Sequence, residues 1–279
     1  MRIVKPIYLL CVLIVVVTLP ALTHASNFTG IKGSPNLRSA SAFVVNAQGQ
    51  VIYGKDIDTV RPIASITKLM TAMVILDSDL DLNEKITVTK EDRDLVQLTG
   101  SRLEYGARLP RREMILLAIM SSENRAATAL GRNYPGGMTA FVSEMNKKAV
   151  KLGMSNSHFA DPAGLKVENQ STARDLITMV IAAQKYPLIK KASTTTRIEV
   201  RPYAKRGPLV YGNTNRLLKN KTWDIELSKT GYINEAGRCL VMQANIEGEQ
   251  VSIVLLNSFG KLTPFGDSNR LRKWMLAGS

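Results

Sequence analysis

The sequence predicts an α/β protein of the α+β type: a mostly antiparallel sheet built from both chain ends, flanked by helices, with a helical insertion covering it. Two observations support this prediction. Runs with a period of two occur near the start of the chain and again beyond Thr194, whereas apolar and amphipathic helical segments fill the middle. The strands and helices do not alternate as βαβ units, and such segregation is typical of antiparallel α+β domains.

The first predicted element is a β-hairpin over residues 41–56, SAFVVNAQGQVIYGKD, in which two β-rich runs surround a turn. A helix follows over 62–76, PIASITKLMTAMVIL, and it is apolar around its whole circumference, as buried helices are. Residues 77–112 are polar and rich in turn formers, with short strand-like pieces at 85–89 and 101–109. This part of the chain therefore gives one hairpin, one buried helix and an irregular connection.

The helical insertion comprises four predicted helices, at 111–120, 124–133, 138–153 and 171–187. A break at Ser121-Ser122-Glu123 separates the first two. The third is amphipathic and is closed by Gly153, and the fourth starts with a capping-box pattern, Thr172 to Asp175, and ends at Pro187.

Four strands with a period of two are predicted next, at 196–203, 225–232, 238–247 and 251–258. A last helix over 267–277 carries Arg270, Arg272, Lys273 and Trp274. We expect this helix to pack on the sheet, and a loose association with a membrane face is the alternative.

Residues 1–25 have the three-part layout of a secretory signal peptide. Two basic residues precede an apolar run over 7–22, and Thr23-His24-Ala25 then supplies small residues at a cleavage site. An uncleaved anchor is the alternative, but the run is short for a membrane span. We therefore expect cleavage after Ala25 and one exported domain over 26–279, in which no linker-like segment is evident.

The composition excludes several classes of function. The net charge of +14 suits polyanionic surroundings or simple solubility, but the basic residues are scattered, only 6% of residues are aromatic, and no nucleic-acid-reading motif is found. Beyond the expected cleavage site, Cys239 and His158 are the only cysteine and histidine. The sequence therefore predicts no intrachain disulfide, no metal site and no cofactor, and a Ser-His-acid triad could use His158 alone.

One charged side chain, Lys68, lies inside the apolar segment 62–76, three residues after Ser65. Positions three apart are neighbours on a helix, and burial lowers a lysine pKa enough for the neutral amine to accept a proton near pH 7. Ser65 follows Pro62 near the helix start, where free N–H groups favour developing negative charge. The pair fits a serine nucleophile with a lysine base. The alternative is a capping serine and a lysine that extends to solvent.

Two further motifs decide between these interpretations. Ser122-Glu123-Asn124 lies at the break between two predicted helices, and Lys229-Thr230-Gly231 lies on a predicted strand. Ser-x-x-Lys, Ser-x-Asn and Lys-Thr-Gly, in this order, form the signature of penicillin-binding proteins and class A β-lactamases. Ser-x-Asn alone is weak, since it recurs at Ser34-Pro35-Asn36, but the order, spacing and structural setting together argue against coincidence.

From about Ser41 onward the sequence resembles the low-molecular-mass penicillin-binding proteins, serine D-alanyl-D-alanine peptidases of the bacterial cell wall. The resemblance includes FADPAGLKVENQSTARDL, residues 159–176, a segment characteristic of this family and absent from class A β-lactamases. It implies a β-lactamase/transpeptidase-like fold with a five-stranded sheet, and a periplasmic location. It also implies peptidoglycan as the substrate and β-lactams as covalent inhibitors.

The resemblance implies a catalytic role for three residues. Ser65 attacks the carbonyl of a D-alanine, and Lys68 takes the proton of its hydroxyl. Ser122 relays this proton to the leaving amine, while Asn124 orients Lys68 and the substrate amide.

The third motif implies a substrate-binding strand edge formed by Lys229, Thr230, Gly231 and Tyr232. Lys229 adds positive potential, and Thr230 binds the carboxylate next to the scissile bond. Backbone N–H groups of Ser65 and Tyr232 form the oxyanion hole. Many relatives have histidine where this chain has Tyr232, which leaves any role of the tyrosine side chain open.

Within the family, Ser-Glu-Asn and Lys-Thr-Gly-Tyr, with only 232–279 after the third motif, look most like the D-alanyl-D-alanine endopeptidase. This is the short form without a C-terminal β domain, and it cuts D-alanine–diaminopimelate cross-links. A D-alanyl-D-alanine carboxypeptidase is the alternative. More remote are a class A β-lactamase, for which no clear Glu-x-x-Leu-Asn segment is found, and a non-catalytic wall-binding protein.

Overall fold

The structure, a computed structural model, describes Phe28 and residues 30–278, so the predicted signal peptide lies outside the described residues. The strands are β1 (Ser39–Asn46), β2 (Val51–Lys55), β3 (Arg61–Pro62), β4 (Lys85–Thr87), β5 (Arg108–Pro110), β6 (Gln170–Ser171), β7 (Arg197–Val200), β8 (Leu209–Gly212), β9 (Asp224–Ile233), β10 (Gly237–Ile246) and β11 (Glu249–Ser258). The α-helices are α1 (Thr67–Leu76), α2 (Arg111–Met120), α3 (Asn124–Arg132), α4 (Gly137–Lys151), α5 (Ala173–Ala183), α6 (Pro187–Thr194) and α7 (Thr263–Gly278).

The main sheet has five strands in the order β2-β1-β11-β10-β9, and every neighbouring pair is antiparallel. Strand β1 from the start of the chain pairs with β11 from its end, for example Ser41 with Leu256. The predicted α+β class and the sheet made from both chain ends are therefore confirmed.

The sheet separates two apolar cores, because successive side chains of a strand point to opposite faces. Phe43 of β1 joins the large core under the helices α1 to α6, whereas Val44 joins the smaller core under α7. Leu271 and Met275 of α7 are fully buried in that smaller core. The last helix thus packs on the sheet, as expected. Within the described part of the chain, no helix combines the length and apolar character needed to cross a membrane.

The start of the predicted helix over 62–76 is wrong. Strand β3 pairs with β6 at this point, a 3-10 turn follows over Ala64–Ile66, and α1 begins only after it. Ala64 has a φ of +47°, outside the range of a regular α-helix, and its carbonyl oxygen packs against Gly164 of a distant loop. Ser65 therefore lies in the 3-10 turn, still three residues before Lys68.

Two other expectations need correction. Pro187 opens the separate helix α6 instead of ending the preceding one, because a proline at the first helical position needs no N–H partner. The strand predicted at 196–203 does not join the main sheet. It contributes β7, which pairs with β8 in a separate hairpin, and β8 is too short for a periodic signal.

Asp267 fastens α7 to β1. Its fully buried carboxylate accepts hydrogen bonds from Ser39 N at 2.7 Å and Ser39 Oγ at 2.6 Å, and it also pairs with Arg270. Burial opposes ionisation of Asp267, but hydrogen bonds led by that of Ser39 outweigh it and lower the pKa. The charged form therefore predominates in the folded protein at neutral pH.

We expect Asp267→Ala to lower the free energy of unfolding by about 2–3 kcal/mol, because the substitution leaves buried donors without an acceptor. Urea unfolding at pH 7 measures this change. Lys273→Ala, which removes an exposed side chain of the same helix, is the control and should stay within about 0.5 kcal/mol of the parent. Equal unfolding midpoints for the two variants would contradict the role of Asp267.

Candidate active site

The amine of Lys68 is the centre of the site. Lys68 is fully buried, and its Nζ lies 2.7 Å from Ser65 Oγ, 2.7 Å from Asn124 Oδ1 and 2.6 Å from the carbonyl oxygen of Ala163. The three oxygens match the three hydrogen-bonding positions of an ammonium group. The serine and the lysine are thus held in direct contact, and the alternative of a lysine extended into solvent is excluded.

Burial lowers the pKa of Lys68 to about 7, although the carboxylates of Asp161, Glu123 and Asp94 act in the opposite direction. Near neutral pH a substantial fraction of the amines is therefore uncharged. A neutral amine at hydrogen-bond distance from Ser65 Oγ can accept the hydroxyl proton when the oxygen attacks an electrophile.

The Ala163 carbonyl is placed by a tight loop inside the 159–176 segment. The carboxylate of Asp161 accepts hydrogen bonds at 2.6–2.7 Å from the backbone N–H groups of Ala163, Gly164 and Lys166 and from Asn169 Nδ2. A carboxylate surrounded by so many donors fixes the loop conformation. Sequence reasoning noted this segment only as a family resemblance and missed its contact with Lys68.

Gly164 allows the loop to approach the turn that carries Ser65. Its φ is +75°, and a Cβ at this position would lie 1.9 Å from the carbonyl oxygen of Ala64, far inside van der Waals contact. Only glycine fits, because it combines a left-handed backbone with the absence of a side chain. The loop and the 3-10 turn are therefore packed backbone against backbone.

A second serine–lysine contact lies on the other side of the site. Ser122 has a φ of +59° between α2 and α3, and its Oγ lies 3.0 Å from Lys229 Nζ. Burial and the charge of Lys68 hold the pKa of Lys229 well below its ordinary value. The same amine donates to the carbonyl of Thr230 at 2.7 Å. Each of the two serine hydroxyls is therefore within hydrogen-bond distance of its own buried amine.

Two threonines that the sequence reasoning missed complete the contacts. Thr214 Oγ1 lies 2.6 Å from Thr230 Oγ1, and Thr99 Oγ1 accepts a hydrogen bond from Asn124 Nδ2 at 2.8 Å. Neither lies in a motif that sequence reasoning singled out. Asn124 thus joins Lys68 to Thr99, and its amide orientation is fixed at both ends.

Strand β9 runs against the turn that carries the serine. A Cβ on Gly231 would lie 2.8 Å from the carbonyl oxygen of Ile63 and 3.2 Å from the backbone nitrogen of Ser65. The glycine therefore permits the close approach of the two backbones. The next residue, Tyr232, is 47% exposed, and its hydroxyl donates to Asn234 Oδ1 at 2.7 Å.

Six of the eight predicted site residues line one cleft of about 400 Å³. They are Ser65, Ser122, Asn124, Thr230, Gly231 and Tyr232. The other two, Lys68 and Lys229, are buried and contact serine hydroxyls that line it. A smaller depression of about 180 Å³ also reaches Ser65 and includes Gln97, Thr99 and Leu165. In the part of the chain that the structure describes, no cluster of three metal-binding side chains is found.

Comparisons with known proteins agree with this geometry. A sequence model of the D-alanyl-D-alanine carboxypeptidase family matches residues 29–260. The chain is 48% identical to a D-alanyl-D-alanine endopeptidase of Pseudomonas aeruginosa, over 89% of this chain and 81% of the relative. It is 46% identical to an Escherichia coli protein of the same name, over 88% and 79%. The crystal structure of a Streptomyces DD-transpeptidase superimposes with a TM-score of 0.82 at 29% identity, covering 88% of this chain and all of that one.

Proposed function

The chain belongs to the D-alanyl-D-alanine carboxypeptidase family of serine peptidases, and from that premise we propose that it is an endopeptidase that hydrolyses D-alanyl cross-links in peptidoglycan. One observation carries the mechanism. The buried amine of Lys68 lies 2.7 Å from Ser65 Oγ at the floor of a cleft, with a pKa near 7. This is the arrangement that a serine nucleophile needs.

Acylation begins when Lys68 Nζ takes the proton of the Ser65 hydroxyl while Oγ forms a bond to the D-alanyl carbonyl carbon. The negative charge that develops on the carbonyl oxygen is stabilised by the backbone N–H groups of Ser65 and Tyr232. The C–N bond then breaks. The proton held by Lys68 passes through the hydroxyl of Ser122 to the leaving amine, and an ester on Ser65 remains.

Deacylation is the same sequence with water as the nucleophile. Lys68 takes a proton from the water molecule as its oxygen attacks the ester carbonyl, and the proton returns to Ser65 Oγ as the C–O bond breaks. The products are a D-alanine carboxylate and the free serine. A β-lactam forms the same ester, and its amine remains attached through the opened ring.

The substrate is oriented by the groups around the two serines. Thr230 and the neighbouring Thr214 offer hydroxyls to the carboxylate next to the scissile bond. The amine of Lys229, whose pKa is held well below its ordinary value, acts as a hydrogen-bond donor to Ser122 Oγ and to the Thr230 carbonyl and not as a fixed positive charge. Asn124, fixed between Lys68 and Thr99, presents its amide to the peptide. These contacts fix the carbonyl carbon over Ser65.

The location follows from the substrate. We propose that residues 1–25 direct export and are removed, and that 26–279 act as one domain in the periplasm, where peptidoglycan is accessible. The layout of residues 1–25 supports this proposal, as does the family to which the chain belongs.

Endopeptidase activity is favoured over carboxypeptidase activity by the names of the relatives from Pseudomonas aeruginosa and Escherichia coli. The carboxypeptidase alternative stands because the description of the whole family carries that name. The two activities use the same acyl-enzyme and differ in the leaving group, which is a diaminopimelate side chain in one and a free D-alanine in the other.

Purified cross-linked muropeptides separate the two activities. We expect dimers to be converted into monomers, with the products separated by chromatography and identified by mass, and we expect no conversion by Ser65→Ala. Loss of terminal D-alanine from pentapeptides with dimers intact would establish the carboxypeptidase instead. If neither product formed although the protein is folded, the proposed function would be wrong.

The lowered pKa of Lys68 predicts a particular pH profile. Below about pH 7 the amine is protonated and cannot accept the Ser65 proton. We therefore expect the second-order rate constant for acylation by a β-lactam to fall about tenfold per pH unit below about pH 6 and to level off above about pH 8. Thermal unfolding midpoints across the same pH range control for loss of structure. A rate that kept rising to about pH 10 would show that the amine is not the base.

A further inference from the structure

The cleft next to Ser65 carries an excess of positive charge that the reaction described above does not use. Arg216, Arg238 and Lys261 line it, and no aspartate or glutamate does, among the described residues. No carboxylate of a described residue lies within ion-pair distance of any of these three side chains. Unpaired cations around a concave surface attract anionic ligands.

These cations share the cleft with the groups proposed to bind the leaving group. Thr214, Thr230 and Ser122 line the same cleft, and they are the groups proposed to bind the carboxylate next to the scissile bond and to protonate the leaving amine. The smaller depression that also reaches Ser65 is lined by neutral residues only. The positive charge is therefore concentrated in the larger of the two depressions that reach Ser65.

The stacked orientation of the Arg238 guanidinium group suits the binding of a planar anion. Its guanidinium carbon lies 3.5 Å from the centre of the Tyr232 ring, so the group is stacked on the tyrosine. Stacking holds the guanidinium plane and leaves its N–H edge free for a bidentate contact with a carboxylate. The stacking of Arg238 also gives the exposed side chain of Tyr232 a role, which the sequence left open.

We propose that Arg216 and the stacked Arg238 form a second anion subsite, which binds a carboxylate of the leaving strand beyond the one next to the scissile bond. Lys261 adds to the potential of this subsite. The inference rests on the proposed function and deepens it. A leaving D-alanine has a single carboxylate, whereas the acceptor strand of a cross-link has further ones, on glutamate and at the end of the stem, where the distal carboxyl of diaminopimelate is free when the stem ends at that residue. The subsite thus selects cross-links over free peptide ends.

Matched synthetic substrates test the proposal. All share one acyl-D-alanyl group, joined to the D-centre amine of diaminopimelate whose distal carboxyl group is either free or a carboxamide. A second pair keeps the carboxamide and adds a γ-linked D-glutamate, with its own carboxyl group free or amidated. We expect the free acid to have a kcat/KM about tenfold higher than the amide in at least one pair, and the pair that responds identifies the carboxylate.

In Arg216→Gln/Arg238→Gln, the acid-to-amide ratio should fall to about one. The ratio is taken within each protein, so a general loss of activity cancels. Arg197→Gln/Lys185→Gln removes the same charge at exposed positions outside the cleft and should keep the parent ratio. Equal rates for acid and amide in the parent, or an unchanged ratio in the cleft variant, would overturn the proposal. If the proposed function itself were wrong, the result would differ from both of these outcomes, because no substrate would be cleaved in a Ser65-dependent manner.

Discussion

Replacing Ser65 with alanine should abolish covalent labelling by a β-lactam and lower kcat/KM for peptide hydrolysis by at least about 10⁴-fold. The hydroxyl is the atom that becomes acylated, and its oxygen lies 2.7 Å from the buried Lys68 amine, whose pKa is about 7. Ser122 also contacts a buried amine of lowered pKa, that of Lys229 at 3.0 Å, but its proposed role is to relay a proton. Labelling is measured with a fluorescent penicillin followed by denaturing electrophoresis. The folded state should persist, because Ser65 makes few contacts and the substitution removes a single oxygen.

Ser121→Ala is the matched control for this experiment. Ser121 lies one residue from the second motif, but its hydroxyl donates to the carbonyl of Leu117 at 2.8 Å and does not line the cleft around Ser65. This variant should be labelled like the parent. Equal labelling of Ser65→Ala would remove the basis of the proposed mechanism. Rapid hydrolysis of the penicillin adduct, in place of a long-lived one, would favour the β-lactamase alternative.

Replacing Lys68 should have the second largest effect. We expect Lys68→Met and Lys68→Arg each to slow acylation by about 10³- to 10⁴-fold. Methionine removes the base, and arginine keeps the positive charge but cannot be deprotonated in a protein. Stopped-flow acylation kinetics measure both. A nearly active arginine variant would show that Lys68 contributes charge and not proton transfer.

The stability of Lys68→Met gives a readout that is independent of catalysis. The pKa of Lys68 is lowered from an ordinary value of about 10.4 to about 7 by burial, so between these values the unfolded chain binds more protons than the folded one. The burial cost is therefore fully present below about pH 7 and disappears as the pH rises through the unfolded pKa. Because methionine carries no such cost, its stability relative to the parent should be more favourable at pH 7 than at pH 10.5.

The expected change in this relative stability between the two pH values is on the order of 4 kcal/mol. Urea unfolding of both proteins at each pH gives it, and the comparison cancels pH effects that they share. Identical relative stabilities at both pH values would mean that the amine is charged in the folded state, which the proposed mechanism does not allow.

Sequence reasoning predicted the fold well where periodicity is strong. Local periodicity in the sequence is enough to identify the apolar segment around Lys68, the helix α2 and the long strands β9 to β11. It failed where the chain responds to distant contacts. Ala64, which packs against Gly164 of a distant loop, has a φ of +47° where a regular helix was predicted. Strand β7 pairs with β8 in a separate hairpin and not with the main sheet.

The sequence by itself was enough to predict the family, the order of the three motifs and eight candidate site residues. The tertiary structure decided how they act together. It places the Ala163 carbonyl against Lys68, Thr214 against Thr230, and the Arg238 guanidinium over Tyr232. These pairs are separated by many residues or lie on different strands. A sequence pattern reports local periodicity, whereas desolvation of an amine and the meeting of two hydroxyls depend on which distant segments the fold packs together.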